Sequence, residues 1–189
     1  MEPEPGPRER ARANGVVLLP YDEAWPDRYA EAEREILEAC GTVVVGMEHV
    51  GSTAIPGIHA KPYLDLMPGL QSYDDGAVLV PLMQSLGYEY KGEYGIAGRH
   101  YFSKWIEDDD HVWKHNVHTY AVGHYEWVRH LVFRDVLRND PNLRDEYQAL
   151  KLLLALKHAN DVEAYAEAKS EFVERVIAMG GGPSRPPAD

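Results

Sequence analysis

Hydrophobic and polar positions follow two rhythms along this chain, and the rhythm changes once. Up to about residue 123, short apolar runs are punctuated by glycine and proline, the pattern of strands joined by turns and a few helices. The run 16–20 (VVLLP) predicts a short strand. A polar helix is expected from about Trp25 to Ala39, opening with Pro26 in its first turn and stopping before Gly41. Residues 42–50 read as a strand. After a Gly-Ser-Thr bend, 61–69 read as a second strand, bounded by Pro62 and Pro68. The stretch 74–87 predicts a helix closing at Gly87, and further strands are expected at 99–106 and 114–122. From His124 onward the period is helical, over about 124–138, 142–158 and 161–178, with Asn139 to Pro141 separating the first two.

A mixed sheet with a few helices, then a run of three helices, predicts an α+β (mixed α/β) fold: a sheet with flanking helices over 15–123 and a helical C-terminal part over 124–179. Together these form one domain, 15–179. Residues 1–14 and 180–189 are rich in proline, glycine and charge, and read as disordered tails. The 189 residues, 44% of them apolar, suffice for one core. Thirty-one acidic residues against nineteen basic ones give a formal charge of −12, which argues against a nucleic-acid partner and requires any anionic ligand to find a local cationic site. The single cysteine, Cys40, excludes an internal disulfide and a cysteine-built zinc site. No apolar run approaches membrane-spanning length, so the expectation is a soluble, cytoplasmic protein without a membrane partner. The oligomeric state is left open.

Candidate chemistry centres on Asp65, a carboxylate inside the apolar run 63–67. Burying it is costly unless something cationic meets it. Twelve residues separate it from the preceding pair Gly51–Ser52. The spacing to Gly57, and the lack of a Lys-Ser/Thr pair, rule out a phosphate loop of the GxxxxGK[ST] kind. What remains is an anion-binding turn facing a carboxylate able to carry a divalent cation: glycine lets backbone N–H groups approach phosphate oxygens, and the serine hydroxyl adds a donor. Strand periodicity puts Tyr63, Asp65 and Met67 on one face and Leu64 and Leu66 on the other.

The stretch EHVGSTAIPGIHAKPYLDL, followed in order by GRHYFSK, HNVH, EWVRHLVFRDVLR, YQALK and YAEAKSEFV, resembles the GrpB family over roughly residues 16–178. The resemblance implies a nucleotidyltransferase-like fold. Some members of that family are fused to dephospho-CoA kinase. In the wider nucleotidyltransferase pattern a Gly-Ser turn is followed by an acid, one spacer and a second acid. The first maps onto Asp65 and the second onto Met67, so a site with two carboxylates and two metals is not assumed.

Other ligands are sought on neighbouring strands. Asn116, His118 and Tyr120 share a face, and His118 is the expected partner of Asp65 and second metal ligand. His49, directly before the bend, is placed to contact substrate or orient Ser52. Gly51, Ser52, Thr53, Lys61, Arg99 and Lys104 are the candidate phosphate contacts, and Arg129 and Arg134 candidate substrate contacts. Lys151 and Lys169 also have the latitude to reach a pocket. Asp135, on an apolar helix face, is expected to pair with Arg138 or with a residue across the packing interface. The acidic stretch 105–111 is a solvated loop suited to a lid.

Together with these residues, the resemblance implies an enzyme, a nucleotidyltransferase-like transferase. ATP or another nucleoside triphosphate would bind with Mg²⁺ (or Mn²⁺) on Asp65, Ser52 would contribute to catalysis, and a small acceptor, a carboxylate for example, would attack the α-phosphorus. The alternatives are a nucleotide- or CoA-binding module without catalysis, which Met67 favours, and a hydrolase or other metalloenzyme whose ion sits on Asp65 and histidines.

Overall fold

A computed structural model describes residues 15–107 and 112–186. Helix α1 (Trp25–Cys40) turns at Gly41 and leads to β1 (Gly46–Val50), a 3-10 turn (Ser52–Ala54) and β2 (Tyr63–Leu70). Helix α2 (Gly76–Ser85), β3 (Glu89–Tyr90), β4 (His100–Glu107) and β5 (Val112–Ala121) complete the sheet region. The helical part comprises α3 (Tyr125–Asn139), α4 (Pro141–Lys157), α5 (Val162–Glu167) and α6 (Ser170–Met179). The sheet order is β1-β2-β5-β4-β3, with β2 and β5 parallel and the other pairs antiparallel. This is the mixed α+β sheet with flanking helices that the apolar pattern predicts.

The alternation along β2 decides what each face does. Leu64, Leu66 and Leu70 point into the main core with Trp25, Ile36, Leu79, Phe102 and Val117, under α1 and α2. Met67 points the other way, into a small apolar cluster with Val50, Tyr120 and Trp127. The loop after the bend is anchored by Ile55 and Ile58, which enter a helical core with Leu137, Leu143, Tyr147, Phe172 and Val176. The bend is thereby clamped between sheet and helices.

Several local expectations are corrected. Residues 16–20 form no strand; a single antiparallel bridge joins Leu19 to Ala60. Strand β2 runs through Pro68 to Leu70: Pro68 sits opposite Met47, and the parallel ladder to β5 skips Met67 and Pro68, where proline has no N–H to give. The helix expected over 161–178 is two, α5 and α6, with Asp161 capping the first through the Ala164 N–H. Asp135 pairs with its neighbour Arg134 at 2.7 Å rather than with Arg138, whose Nε donates to the Ala54 carbonyl. After Met179 the chain keeps contact with α3: Arg129 donates to the Pro183 carbonyl, and Arg185 pairs with Glu126 at 2.7 Å. Residues 1–14, 187–189 and the 108–111 part of the acidic loop lie outside the described residues.

Candidate functional site

Register assembles the site. Asp65 lies opposite Val50 of β1 on one side and Asn116 of β5 on the other, and Gly51 follows Val50 directly. A parallel β2–β5 pair therefore sets Asn116 beside Asp65, with His118 two residues further on the same face. Asn116 Nδ2 donates to Asp65 Oδ1 at 3.0 Å, and His118 Nε2 lies 3.3 Å from the same oxygen. The outer ends of both arms are fixed as well. The Tyr101 hydroxyl donates to Asn116 Oδ1 at 3.0 Å, and Arg99 Nη1 donates to His118 Nδ1 at 3.3 Å.

That last contact settles the tautomer. Arginine has no acceptor, so His118 Nδ1 must accept, the proton resides on Nε2, and Nε2–H donates to Asp65. Burial pushes the Asp65 carboxyl pKa up, but hydrogen bonds from His118 and Asn116 and the nearby Lys61 charge outweigh it, so the net shift is downward and Asp65 is ionised at neutral pH. Both arms hold Oδ1; Oδ2 takes no hydrogen bond among the described residues and faces the bend. A Cβ on Gly51, whose φ is +72° and ψ −171°, would lie 2.1 Å from that oxygen. Only glycine lets the bend approach so closely.

Asp65 opens into a cavity of about 160 Å³ lined by Ser52, Lys61, Tyr63, Asn116, Lys151, Tyr165 and Lys169, with Leu18 and Ala60. Three ammonium groups thus face one carboxylate. Lys61 Nζ lies 4.7 Å from the Tyr63 ring centre, Lys151 Nζ 4.8 Å from that of Tyr147 and Lys169 Nζ 4.3 Å from that of Tyr165. Burial, together with repulsion from Lys61 and against the attraction of Asp65, brings the Lys169 pKa down to about 8. Burial and repulsion from Lys169 bring that of Lys151 down to about 7, and burial lowers Lys61 against the pull of Asp65. Beside Ser52 stands Tyr147, whose hydroxyl burial pushes up to about 12.

Of the residues singled out in the sequence, the structure gathers Gly51, Ser52, Lys61, Asp65, His118, Lys151 and Lys169 here. The other candidate contacts lie elsewhere. The Thr53 hydroxyl donates to the Tyr63 carbonyl and accepts from His49 Nε2, so both side chains are committed away from the cavity. His49 stacks on Tyr29 and is held neutral, its pKa lowered to about 4 chiefly by burial. With Arg134, which pairs with Glu48 at 2.6 Å, these two residues line a separate cleft of about 410 Å³ on the other side of the bend. Arg129 is buried among Glu126, Glu174 and the Pro183 carbonyl. Lys104 lies on the opposite face of β4, 3.5 Å from Glu35. Arg99 acts behind the site, with the Glu93 and Tyr94 carbonyls holding the rest of its guanidinium.

Sequence reasoning placed Asn116 on the His118 face without giving it a role and named Lys151 and Lys169 only as able to reach a pocket; the roles of Tyr101 and Tyr165 escaped it. One signal was present. Leu143, Tyr147, Lys151 and Leu154 form the buried stripe of α4, and a lysine in an apolar stripe asks for an anion.

A resident metal fits poorly. His118 spends Nδ1 on Arg99 and Nε2 on Asp65, and Met67, where a second acid would stand, is fully buried in apolar contacts. Among the described residues there is no group of three His, Cys, Asp or Glu side chains able to hold an ion. Asp65 Oδ2 alone is available to a cation carried in by a ligand.

Comparison with known proteins places these features in a family. The sequence profile described as "GrpB protein" matches residues 15–179. The chain is 35% identical over 159 residues to the UPF0157 protein YqkA of Bacillus subtilis, covering 84% of this chain but only 45% of that protein, so it spans less than half of that relative's length. It is 32% identical to the glutamate-rich protein GrpB of Alkalihalophilus pseudofirmus, covering 86% of this chain and 94% of that one. The crystal structure of a conserved GrpB protein from Enterococcus faecalis superposes with a TM-score of 0.77 at 29% identity, covering 87% of this chain and 96% of that one. Among the described residues, no helix is long and apolar enough to cross a membrane.

Proposed function

The chain belongs to the GrpB family, and from that premise we propose that it is a nucleotidyltransferase-like enzyme, binding a nucleoside triphosphate such as ATP at the lysine-lined cavity and transferring its nucleotidyl group to a small acceptor. The observation that carries this reading is the presentation of Asp65: Oδ1 is clamped by His118 and Asn116 while Oδ2 is left open against the Gly51 bend, in a cavity with three ammonium groups. A lone carboxylate among lysines suits a polyphosphate that brings its own Mg²⁺ or Mn²⁺ as part of the substrate. In the reaction an oxygen or nitrogen of the acceptor, a carboxylate for example, attacks the α-phosphorus. The bond to the bridging oxygen breaks and pyrophosphate leaves. The protein's part is positioning and charge stabilisation: the Ser52 hydroxyl donates to a phosphate oxygen, and the lysines face the charge that develops on the leaving group.

A second reading, a nucleotide- or CoA-binding module without catalysis, draws support from Met67, fully buried where the wider pattern has its second acid. An Asp/His metalloenzyme is disfavoured by the two engaged nitrogens of His118. The deciding experiment is triphosphate titration with and without Mg²⁺, on the wild type and Asp65→Ala, followed by mass analysis of acceptor panels for a nucleotidyl adduct and released pyrophosphate. Enzyme action predicts binding that weakens on chelation, is lost in Asp65→Ala and leads to adducts. Metal-indifferent binding with no adduct across the panel would leave the module.

A further inference from the structure

We propose that Lys61, Lys151 and Lys169 form a metal-independent subsite for a diphosphate group, so that this protein binds inorganic pyrophosphate with no nucleoside and no divalent ion. The inference rests on the reading of the cavity as a nucleotide site, and names the part of the ligand that the lysines recognise.

The argument begins with unbalanced charge. Lys151 is 1% exposed, and its Nζ donates to the His59 carbonyl, which leaves two further N–H donors. Among the described residues no carboxylate comes within salt-bridge distance of Lys61, Lys151 or Lys169, whereas Lys91 and Lys104 have Glu89 and Glu35. A buried cation without a counter-charge is rarely retained for stability alone. The groups facing Lys151 and Lys169 are Lys61 before β2, Tyr63 and Asp65 on β2, Asn116 on β5, Tyr147 on α4 and Tyr165 on α5. Asp65 is the one anion among them, and His118 and Asn116 already hold it. The aromatic faces soften the desolvation of the ammonium groups without neutralising them.

The lining narrows the choice of ligand: a cavity of about 160 Å³ bordered by three lysines and the Ser52 hydroxyl suits a small, multiply charged anion such as a diphosphate. The lysines also carry a proton signature. With pKa values brought down to about 7 for Lys151 and about 8 for Lys169, an anion among them draws protons back onto the amines. Affinity must therefore fall as pH rises from 7 to 9, although pyrophosphate itself becomes more negative over that range.

The test is calorimetric titration of the full chain with inorganic pyrophosphate in EDTA at pH 7 and pH 9, with thermal unfolding as a check on folding. Wild type and Lys104→Gln, which lies outside the cavity, are expected to bind equally at pH 7 and more weakly at pH 9. Lys169→Gln and Lys151→Met are expected to lose about tenfold or more in affinity, the loss of one charge-assisted hydrogen bond. Lys151→Met removes an unpaired buried cation in favour of an apolar side chain of similar length, so its unfolding temperature is expected to hold or rise, separating lost binding from lost fold. No binding by the wild type in EDTA at pH 7, or equal binding by all variants, overturns the inference. If triphosphate with Mg²⁺ still binds in an Asp65-dependent manner under that outcome, the nucleotidyl-transfer reading survives and the lysine subsite alone falls.

Discussion

Replacing Gly51 with alanine tests the central contact of the site with a single methyl group. Two costs add. At φ +72° and ψ −171° the backbone occupies a region that is essentially reserved for glycine, and an L side chain there costs about 1–3 kcal/mol. The new Cβ would also fall 2.1 Å from Asp65 Oδ2, 2.8 Å from its Cγ and 3.0 Å from its Cβ. A carbon and an oxygen need about 1 Å more than the first of these distances, so either the bend or the carboxylate must move. If Asp65 swings away it gives up the His118 and Asn116 hydrogen bonds, each charge-assisted and worth about 1.5–3 kcal/mol. If the bend moves, it drags Ile55 out of the helical core. The expected loss is about 3–6 kcal/mol, a large part of the roughly 5–15 kcal/mol that holds a domain of this size together. Urea unfolding followed by tryptophan fluorescence measures it. Two other glycines separate the causes. Gly57 has φ +85° with nothing within 4 Å of a built Cβ, so Gly57→Ala carries backbone strain alone, about 1–2 kcal/mol; Gly46, equally open and without a positive φ, should be near neutral. If Gly51→Ala proves no more destabilising than Gly57→Ala, Asp65 is not pressed against the bend and the account of the site fails.

Two further outcomes follow from the buried imidazoles. His49 and His115 are each held near pKa 4, mainly by burial, while an unfolded histidine titrates near 6.5, so the unfolded state binds more protons between these values and stability must fall as pH drops from 6.5 to 4. The expected slope is of order 1 kcal/mol per pH unit for each histidine, read from urea midpoints at pH 6.5, 5.5 and 4.5, and a flat profile would contradict it. The Arg99 contact makes His118 a fixed Nε2–H tautomer, which long-range proton–nitrogen NMR correlation reads directly; Arg99→Met should release that preference and cost about 1–2 kcal/mol, whereas a proton on Nδ1 in the wild type would refute the geometry.

Part of this protein could be read before any coordinates, and the split has a pattern. The period-two alternation through Tyr63, Asp65 and Met67 is local, and it was enough to put Asp65 on the face away from Leu64 and Leu66. The same alternation in β5 set Asn116 and His118 together and singled out His118 as the partner. Helix boundaries at Pro26, Gly41 and Asn139 to Pro141 were legible for the same reason: caps and breakers act within one turn. Where 161–178 was misread, the apolar periodicity continued across a break at Ala168 and Lys169 that no glycine or proline marks.

Lys61, Lys151 and Lys169 were among the candidate cations, but their convergence on Asp65 was not legible because that side of the site is assembled over long distances. Lys61, Lys151 and Lys169 come from three separate segments and meet only when α4 and the turn before α6 pack against the mouth of the sheet. Likewise, whether Arg99, Arg129, Arg134 or Lys104 reached the pocket depended on which carbonyl or carboxylate each met first, a matter of register and packing rather than composition. By itself the sequence determined the α+β alternation, the solitary acid and the glycine bend, because strand period and turn chemistry are properties of neighbours along the chain. Only the tertiary structure decided that one carboxylate oxygen stays free and that three amines surround it, because electrostatic and hydrogen-bond partners are chosen by proximity in space.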